Sequence, residues 1–472
     1  MNVWFQRVIF VAIIALFSAR NLPWHLDDYD QAKQAYTSFE MVGQGHWWFQ
    51  HTPAQSVATK PPLAGWISAA LFYATRWWDG AWRIPSIASA LVILLVLVRA
   101  GDRVFPQFGG VVAASVFGLN LMTPRLATLV RTDMLLTLFI FLTGFVIYEK
   151  VRTGFVWTTR ERWFVFWLVL CSMLTKGPIA YAFLLPGLIA FALICKKRGI
   201  PSNAWSGWWT WFSPLLVFTA WALVGMRDRE FYEQVVLKEF LGRFTVGEQA
   251  VHKNQPFYFY VTHVLRDFAP WSLLLIALPF VRDVRRALSD RAALWLVCWS
   301  IGGLIVMSLV PSKRPDRIFP IIPPLCLLLV YFLREMQTSG WRVKRLVVIS
   351  TSIALLLSAD YAIYNVIDSY REGDDVLVKF GNRVCDYAQQ HALRYAIATS
   401  KDEGMLLYLR QPAFIKPHDA QNAWRDGKID ALVLNAQDFS SHADSFQPSF
   451  LADATGVGAQ KNSHYFFLVR AR

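Results

Sequence analysis

Asp27-Asp28-Tyr29-Asp30, then Glu40-Met41, then Lys60-Pro61-Pro62-Leu63 follow the first apolar run of a chain that is otherwise greasy and aromatic. Carboxylates and a lysine beside a membrane boundary are costly and mark a functional site. A carboxylate there can take a proton from an attacking group. A lysine can hold a phosphate. Further along come Arg131-Thr132-Asp133, Lys176-Gly177-Pro178, Glu239 with Arg243, His252, and Ser312-Lys313-Arg314-Pro315-Asp316-Arg317. Local roles stay double. Asp30 and Asp133 each stand where a helix begins, where an aspartate also complements the helix dipole. Lys60 is held by two prolines that fix the backbone direction, yet a lysine near a membrane also reaches for water. Lys176 sits on a turn with almost no loop.

The elements that must position these groups are transmembrane helices. The 472 residues are 55% hydrophobic and 15% aromatic. The apolar residues come in runs of about 15–20, the length that crosses a bilayer core. The net charge of +14 does not indicate nucleic acid, because the basic residues fall in short loops between apolar runs. Spans are expected near 4–20, 83–99, 107–122, 133–149, 159–175, 177–195, 208–225, 264–281, 292–310, 316–333 and 344–365. The first is read as a retained span, not a removed signal peptide.

Every second connection is basic: Arg99 and Arg103; Lys150 to Arg162; Lys196 to Arg198; Arg282 to Arg291; Arg334 to Arg345. These mark the cytoplasmic side. The alternation holds if Leu63 to Tyr73 lies along the interface instead of crossing. The outer face then collects Asp30, Lys60, Arg131, Asp133, Lys176, Glu239, His252, Lys313, Arg314 and Arg317. Three cations at 313–317 on that face run against the positive-inside tendency, and an anionic lipid headgroup accounts for them. Transporters more often place charge at the bilayer midplane within repeated halves, and no internal repeat is evident. A flippase of a lipid-linked sugar remains the alternative, since it needs the same cations.

Residues 374–472 are polar. Strands are expected at Leu393 to Thr399 and Ala431 to Leu434, and helices at Asp374 to His391 and Ala420 to Trp424. A small α/β domain outside the membrane follows. Cys385 is alone in that tail, so it has no internal disulfide partner there. Residues 30–43 read as an amphipathic helix lying on the membrane. The tryptophans at 24, 47, 48, 66, 77, 78 and 82 serve as interface anchors or as sugar-stacking platforms.

In order and spacing, over about residues 20–325, these motifs resemble those of the GT-C superfamily of integral-membrane glycosyltransferases. Within it the chain is similar to the group of the lipid A aminoarabinose transferase and the protein O-mannosyltransferase relatives. The resemblance implies an α-helical polytopic membrane protein with about 11–13 transmembrane helices. It implies a transmembrane catalytic domain over 1–373, with outer loops at 21–82 and 226–263, and a periplasmic α/β domain over 374–472. It further implies inverting transfer of a sugar, at the outer face of the bacterial inner membrane, from a polyprenyl-phosphate donor to lipid A, a glycan, a lipid or a protein.

Asp30 matches the catalytic aspartate and Asp133 a second acid of the cavity. Lys60 matches the lysine on the donor phosphate. Lys313, Arg314, Arg243, Arg131 and Lys176 are further candidates for the phosphate, and Glu239, His252 and Glu40 for the cavity. Two positions depart from the pattern. Gln31 follows Asp30 where glutamate is usual, so Asp28 stays open as the base. Thr59 stands before Lys60 where relatives carry a glutamate that is a candidate ligand for a divalent metal ion.

Overall fold

The computed structural model describes residues 3–26, 29–53, 56–243, 255–277, 286–398, 403–442, 448–455 and 464–470. Asp28 and His252 lie outside them. The chain forms two compact units, one of residues 1–20, 57–64 and 84–362, the other of 21–56, 65–83 and 363–472.

The first unit is a bundle of apolar helices. Among the described residues six are long and apolar enough to cross a membrane: Ile84–Val104, Asp133–Thr153, Ile179–Lys197, Arg291–Leu309, Pro315–Thr338 and Val343–Arg371. Pro315–Thr338 is the innermost, with 94% of its apolar window buried. Of the other five expected spans, three form as single helices at the expected positions, shorter or more polar than these six, and two do not form as expected. Val3–Ala19 has 17 residues. Thr159–Lys176 carries Arg160, Glu161, Arg162 and Lys176 at its ends. Trp208–Gly225 is rich in tryptophan, which is less apolar than its size suggests. The segment 107–122 holds a helix of only ten residues, Gly109–Gly118, about 15 Å long and half a bilayer core. It stops because Asn120 turns on itself. Its amide donates to the carbonyls of Val116 (3.0 Å) and Phe117 (2.7 Å), and its oxygen accepts from the backbone of Met122 (2.9 Å) and Thr123 (2.8 Å). The segment expected at 264–281 divides at Pro270 into Phe259–Asp267 and Trp271–Ala277.

Small residues let the helices touch. A Cβ added to Gly302 would stand 2.6 Å from the Gly187 nitrogen. Ile179–Lys197 and Arg291–Leu309 therefore meet backbone to backbone, the contact that replaces hydrophobic driving force inside lipid. The basic connections meet at one end of this unit. Arg103 pairs with Glu149 (3.4 Å), Lys150 with Glu161 (2.6 Å) and Arg334 with Asp290 (3.6 Å). Gln337 donates to Gln107 at 2.8 Å, and Asn203 to the Gly154 carbonyl at 2.6 Å.

The second unit joins the tail to most of the first loop. Helix Tyr29–Gln44 forms as its apolar spacing predicts. Helix Leu63–Thr75 contributes Phe72, which stacks on Trp82 (4.8 Å between centroids) and meets Phe39 at 5.7 Å. Trp82 is thus a core residue, only 2% exposed, and not an interface anchor. The Tyr36 hydroxyl donates to the Pro412 carbonyl at 2.6 Å, and the Leu26 amide donates to the Tyr408 hydroxyl. Burial, then the carboxylates Glu40 and Glu403, push the Tyr36 phenol up to about 12.

The tail contains a four-stranded sheet, β1 Tyr395–Ile397, β2 Ala431–Asn435, β3 Pro448–Thr455 and β4 His464–Arg470, in the order β1-β2-β4-β3. β1 and β2 are parallel, and the other pairs antiparallel, with Leu432 opposite Leu468. Helix Pro417–Arg425 lays Ala420 and Trp424 on Leu432, Leu434 and Leu468. Helix Val376–Gln390 carries the buried, unbridged Cys385.

Glu403, in helix Glu403–Tyr408 of this unit, has a buried Oε2 without a hydrogen-bond partner. Burial raises its pKa above the ordinary 4.5, and Lys33 offsets this only in part. The folded state then holds the proton more tightly than the unfolded chain. Stability is highest below the unfolded value and falls as pH rises through the folded one. Glu403→Gln should raise the unfolding temperature at pH 7 and flatten its fall above pH 4.5. Thermal unfolding of both proteins between pH 4 and 8 checks this.

Candidate active site

The bundle unit gathers charge from four separate stretches of sequence. Helix Thr123–Thr128 presents Arg125, and the following turn presents Arg131. Ser86 holds that turn by donating to the Leu129 carbonyl at 2.7 Å. Both arginines converge on one carboxylate, Asp316, which Arg125 meets at 3.2 Å and Arg131 at 2.7 Å. Asp316 is buried and stands in the first turn of the 3-10 helix Pro315–Ile321, whose prolines fix the backbone.

Asp133 opens helix Asp133–Thr153, and Lys176 closes helix Thr159–Lys176. Each is the charge that its helix end favours. The two form an ion pair whose side chains are largely shielded from solvent. Lys176 is therefore not a lone cation at a turn, as its sequence context suggests, but the partner of Asp133. Arg131 and Arg314 also act on Asp133 electrostatically. Lys313, 6% exposed, donates to the Gln255 carbonyl at 3.0 Å, and Arg317 donates to the Ser312 carbonyl at 2.8 Å. Four cations, Arg125, Arg131, Lys176 and Arg314, thus act on the two carboxylates Asp133 and Asp316, and Lys313 and Arg317 flank Arg314 in the same stretch.

A second pair in this unit joins Lys60 to Glu239. Lys60 is fixed by Pro61 and Pro62. Glu239 lies on a π-helix, Tyr232–Phe240, a wide turn often kept at functional sites. Glu230 steadies the approach to Lys60 by accepting from the Val57 amide at 3.1 Å. Arg243 ends the short 3-10 helix Leu241–Arg243 that follows.

In the other unit, Asp30 is half-buried in the first turn of helix Tyr29–Gln44. Glu40, ten residues on, is buried and paired with His46. Ligand-capable atoms of Glu40, His46 and His51 all lie within 4.8 Å of one another.

Three participants went unread in the sequence. Arg125 and His51 carry no motif signal. Asp316 was visible among its cations, but its pairing with Arg125 spans 191 residues, which no local spacing reveals.

No family model matches the chain. Among characterised proteins, it is 25% identical over 310 residues to the undecaprenyl phosphate-alpha-4-amino-4-deoxy-L-arabinose arabinosyl transferase of Erwinia tasmaniensis, covering 64% of this chain and 54% of that protein. It is 27% identical over 330 residues to the enzyme of the same name from Pseudomonas savastanoi pv. phaseolicola, covering 66% and 58%. The chain spans about half the length of the curated relatives it matches. The crystal structure of ArnT from Cupriavidus metallidurans bound to undecaprenyl phosphate superposes with a TM-score of 0.72 at 18% identity, covering 98% of both chains. The chain has the GT-C fold. The apo form of the same ArnT agrees, with a TM-score of 0.69. The GT-C resemblance read from short motifs therefore extends across nearly the whole chain, and the protein is a multi-span membrane protein. Within this fold Asp133 and Asp316 stand in the first turns of their helices and Lys176 at the end of its own, where the helix dipoles assist them.

Proposed function

We propose that this protein is a glycosyltransferase. It moves a sugar from a polyprenyl-phosphate donor to lipid A, a glycan, a lipid or a protein at the outer face of the inner membrane. The observation that carries this reading is the excess of cations over carboxylates around Asp133 and Asp316, a setting for a phosphate headgroup. Relatives named for undecaprenyl phosphate-linked aminoarabinose transfer, and an ArnT with undecaprenyl phosphate bound, support it.

In this reading residues 1–373 are the catalytic domain and 374–472 lie on the periplasmic side. The acceptor oxygen attacks the anomeric carbon, the bond from that carbon to the donor phosphate oxygen breaks, and configuration inverts. Asp30, or Asp28, takes the acceptor proton. The departing phosphate gains charge, which Lys60, Arg131, Lys313, Arg314 and Arg243 stabilise. Asp133 holds Lys176 in place. Glu239 orients Lys60, and His252 and Glu40 belong to the wider cavity.

The test is transfer of labelled sugar from polyprenyl-phosphate donors to a membrane extract by reconstituted protein. Wild type should yield a labelled product. Lys60→Ala should cost about tenfold to a hundredfold in kcat/KM, the worth of one charge-assisted hydrogen bond. Donor binding with no transfer from any donor tried would favour a flippase.

A further inference from the structure

Helix Tyr29–Gln44 ends one turn beyond Glu40. Gly45 then takes a left-handed conformation, φ +83°, and its amide donates to the Met41 carbonyl at 3.2 Å. A side chain is strained there, and glycine is not. The reversal returns His46 to Glu40, and Nδ1 of His46 meets Oε1 of Glu40. The chain then passes Gln50, only 2% exposed, and brings in His51, whose backbone amide approaches Oε2 of Glu40 at 3.4 Å. Thr52 and Ser56 close the loop through an amide-to-carbonyl bond of 2.8 Å and a hydroxyl contact of 2.7 Å. The two imidazole rings lie 4.3 Å apart between centroids.

Two features of this group call for a ligand. Glu40 is 2% exposed, and a buried carboxylate needs compensating charge. Nδ1 of His51 is buried and has no hydrogen-bond partner, which is costly for a polar atom. A single cation among the three side chains satisfies both.

We propose that Glu40, His46 and His51 bind a divalent ion of the zinc class. Two imidazoles and one carboxylate suit zinc. Calcium and magnesium prefer all-oxygen sets. The His46 side chain is 42% exposed, so water can complete a tetrahedron. This set does not include position 59, where threonine replaces the glutamate of relatives. Glu40 lies ten residues, about 15 Å, along the helix from Asp30. The ion therefore takes no part in proton transfer at Asp30. It clamps the loop 45–51 onto the end of the helix, and it does so whether or not the chain transfers sugar.

The test uses the full chain in detergent, stripped with chelator and then titrated with Zn²⁺ and with Co²⁺ as a spectroscopic stand-in. Wild type should hold about one ion per chain and give the visible absorption of tetrahedral Co²⁺. Its unfolding temperature should rise with added Zn²⁺. His51→Gln and His46→Ala should each weaken binding by about a hundredfold or more, since each removes a third of the protein ligands. His418→Ala, at a side chain 82% exposed, should change nothing. Failure of wild type to bind Zn²⁺ saturably at micromolar concentration would overturn the site. So would unchanged binding in a His46→Ala/His51→Ala protein. Should the variants misfold, the Co²⁺ spectrum of wild type alone decides, because nitrogen and oxygen ligands give a tetrahedral band and loose surface binding does not.

Discussion

Asp30→Asn should cut sugar transfer by about 10²–10⁴-fold, the range expected on losing a general base, while donor affinity stays within about twofold. The substitution is chosen to separate the two roles of this position. Asparagine gives up only the charge–dipole contribution of the first turn, about 0.3–1 kcal/mol, so helix Tyr29–Gln44 should persist. Asp30 is half-buried at the start of that helix, and the change keeps its shape. Only basicity and charge are removed. A fall in kcat with little change in KM for the donor marks a proton acceptor acting in the transition state. Full activity in Asp30→Asn would leave Asp30 as a helix-start residue and pass the role to Asp28. A fall in thermal stability matching the loss of activity would point the same way.

Asp133→Asn should destabilise the protein by about 3–5 kcal/mol, the usual effect of removing one member of a buried ion pair. The side chains of Asp133 and Lys176 are only 10% and 8% exposed. Lys176→Met should cost a similar amount. The double change Asp133→Asn/Lys176→Met should recover most of the loss, because two neutral groups avoid the desolvation that two charges require. A double-mutant cycle read by thermal unfolding in detergent measures the coupling. The same proteins also test the donor role of Lys176. If the pair is only architectural, the double variant keeps its KM for donor. If Lys176 also holds phosphate, stability returns but KM rises about tenfold or more. Additive losses with no recovery would mean that the pair contributes no coupling.

The sequence by itself determined which residue types could carry chemistry and where in the chain they stand. Runs of apolar residues announced membrane helices, because only a self-satisfied backbone tolerates lipid. The basic connections were read as marking one side of the membrane, and Arg103, Lys150 and Arg334 lie at one end of the bundle. The amphipathic spacing of Ala32, Ala35, Phe39 and Val42 gave helix Tyr29–Gln44, and β1 and β2 lie where their apolar runs stand. Lys60, Asp133 and Lys176 were legible as costly charges near the membrane.

Tertiary structure decided who pairs with whom. Lys176 finds Asp133 across 43 residues, Lys60 finds Glu239 across 179, and Asp316 serves Arg125 and Arg131. An ion pair leaves no local trace, since each side chain looks the same whichever partner the fold brings. The same reason hid the packing of the first loop with the tail in one unit, which rests on contacts such as Tyr36 with Pro412. It also hid the end of helix Gly109–Gly118, where a single buried asparagine outweighs an apolar run by bonding its own backbone. Periodicity reports which face a residue prefers, and only the folded chain supplies what meets it there.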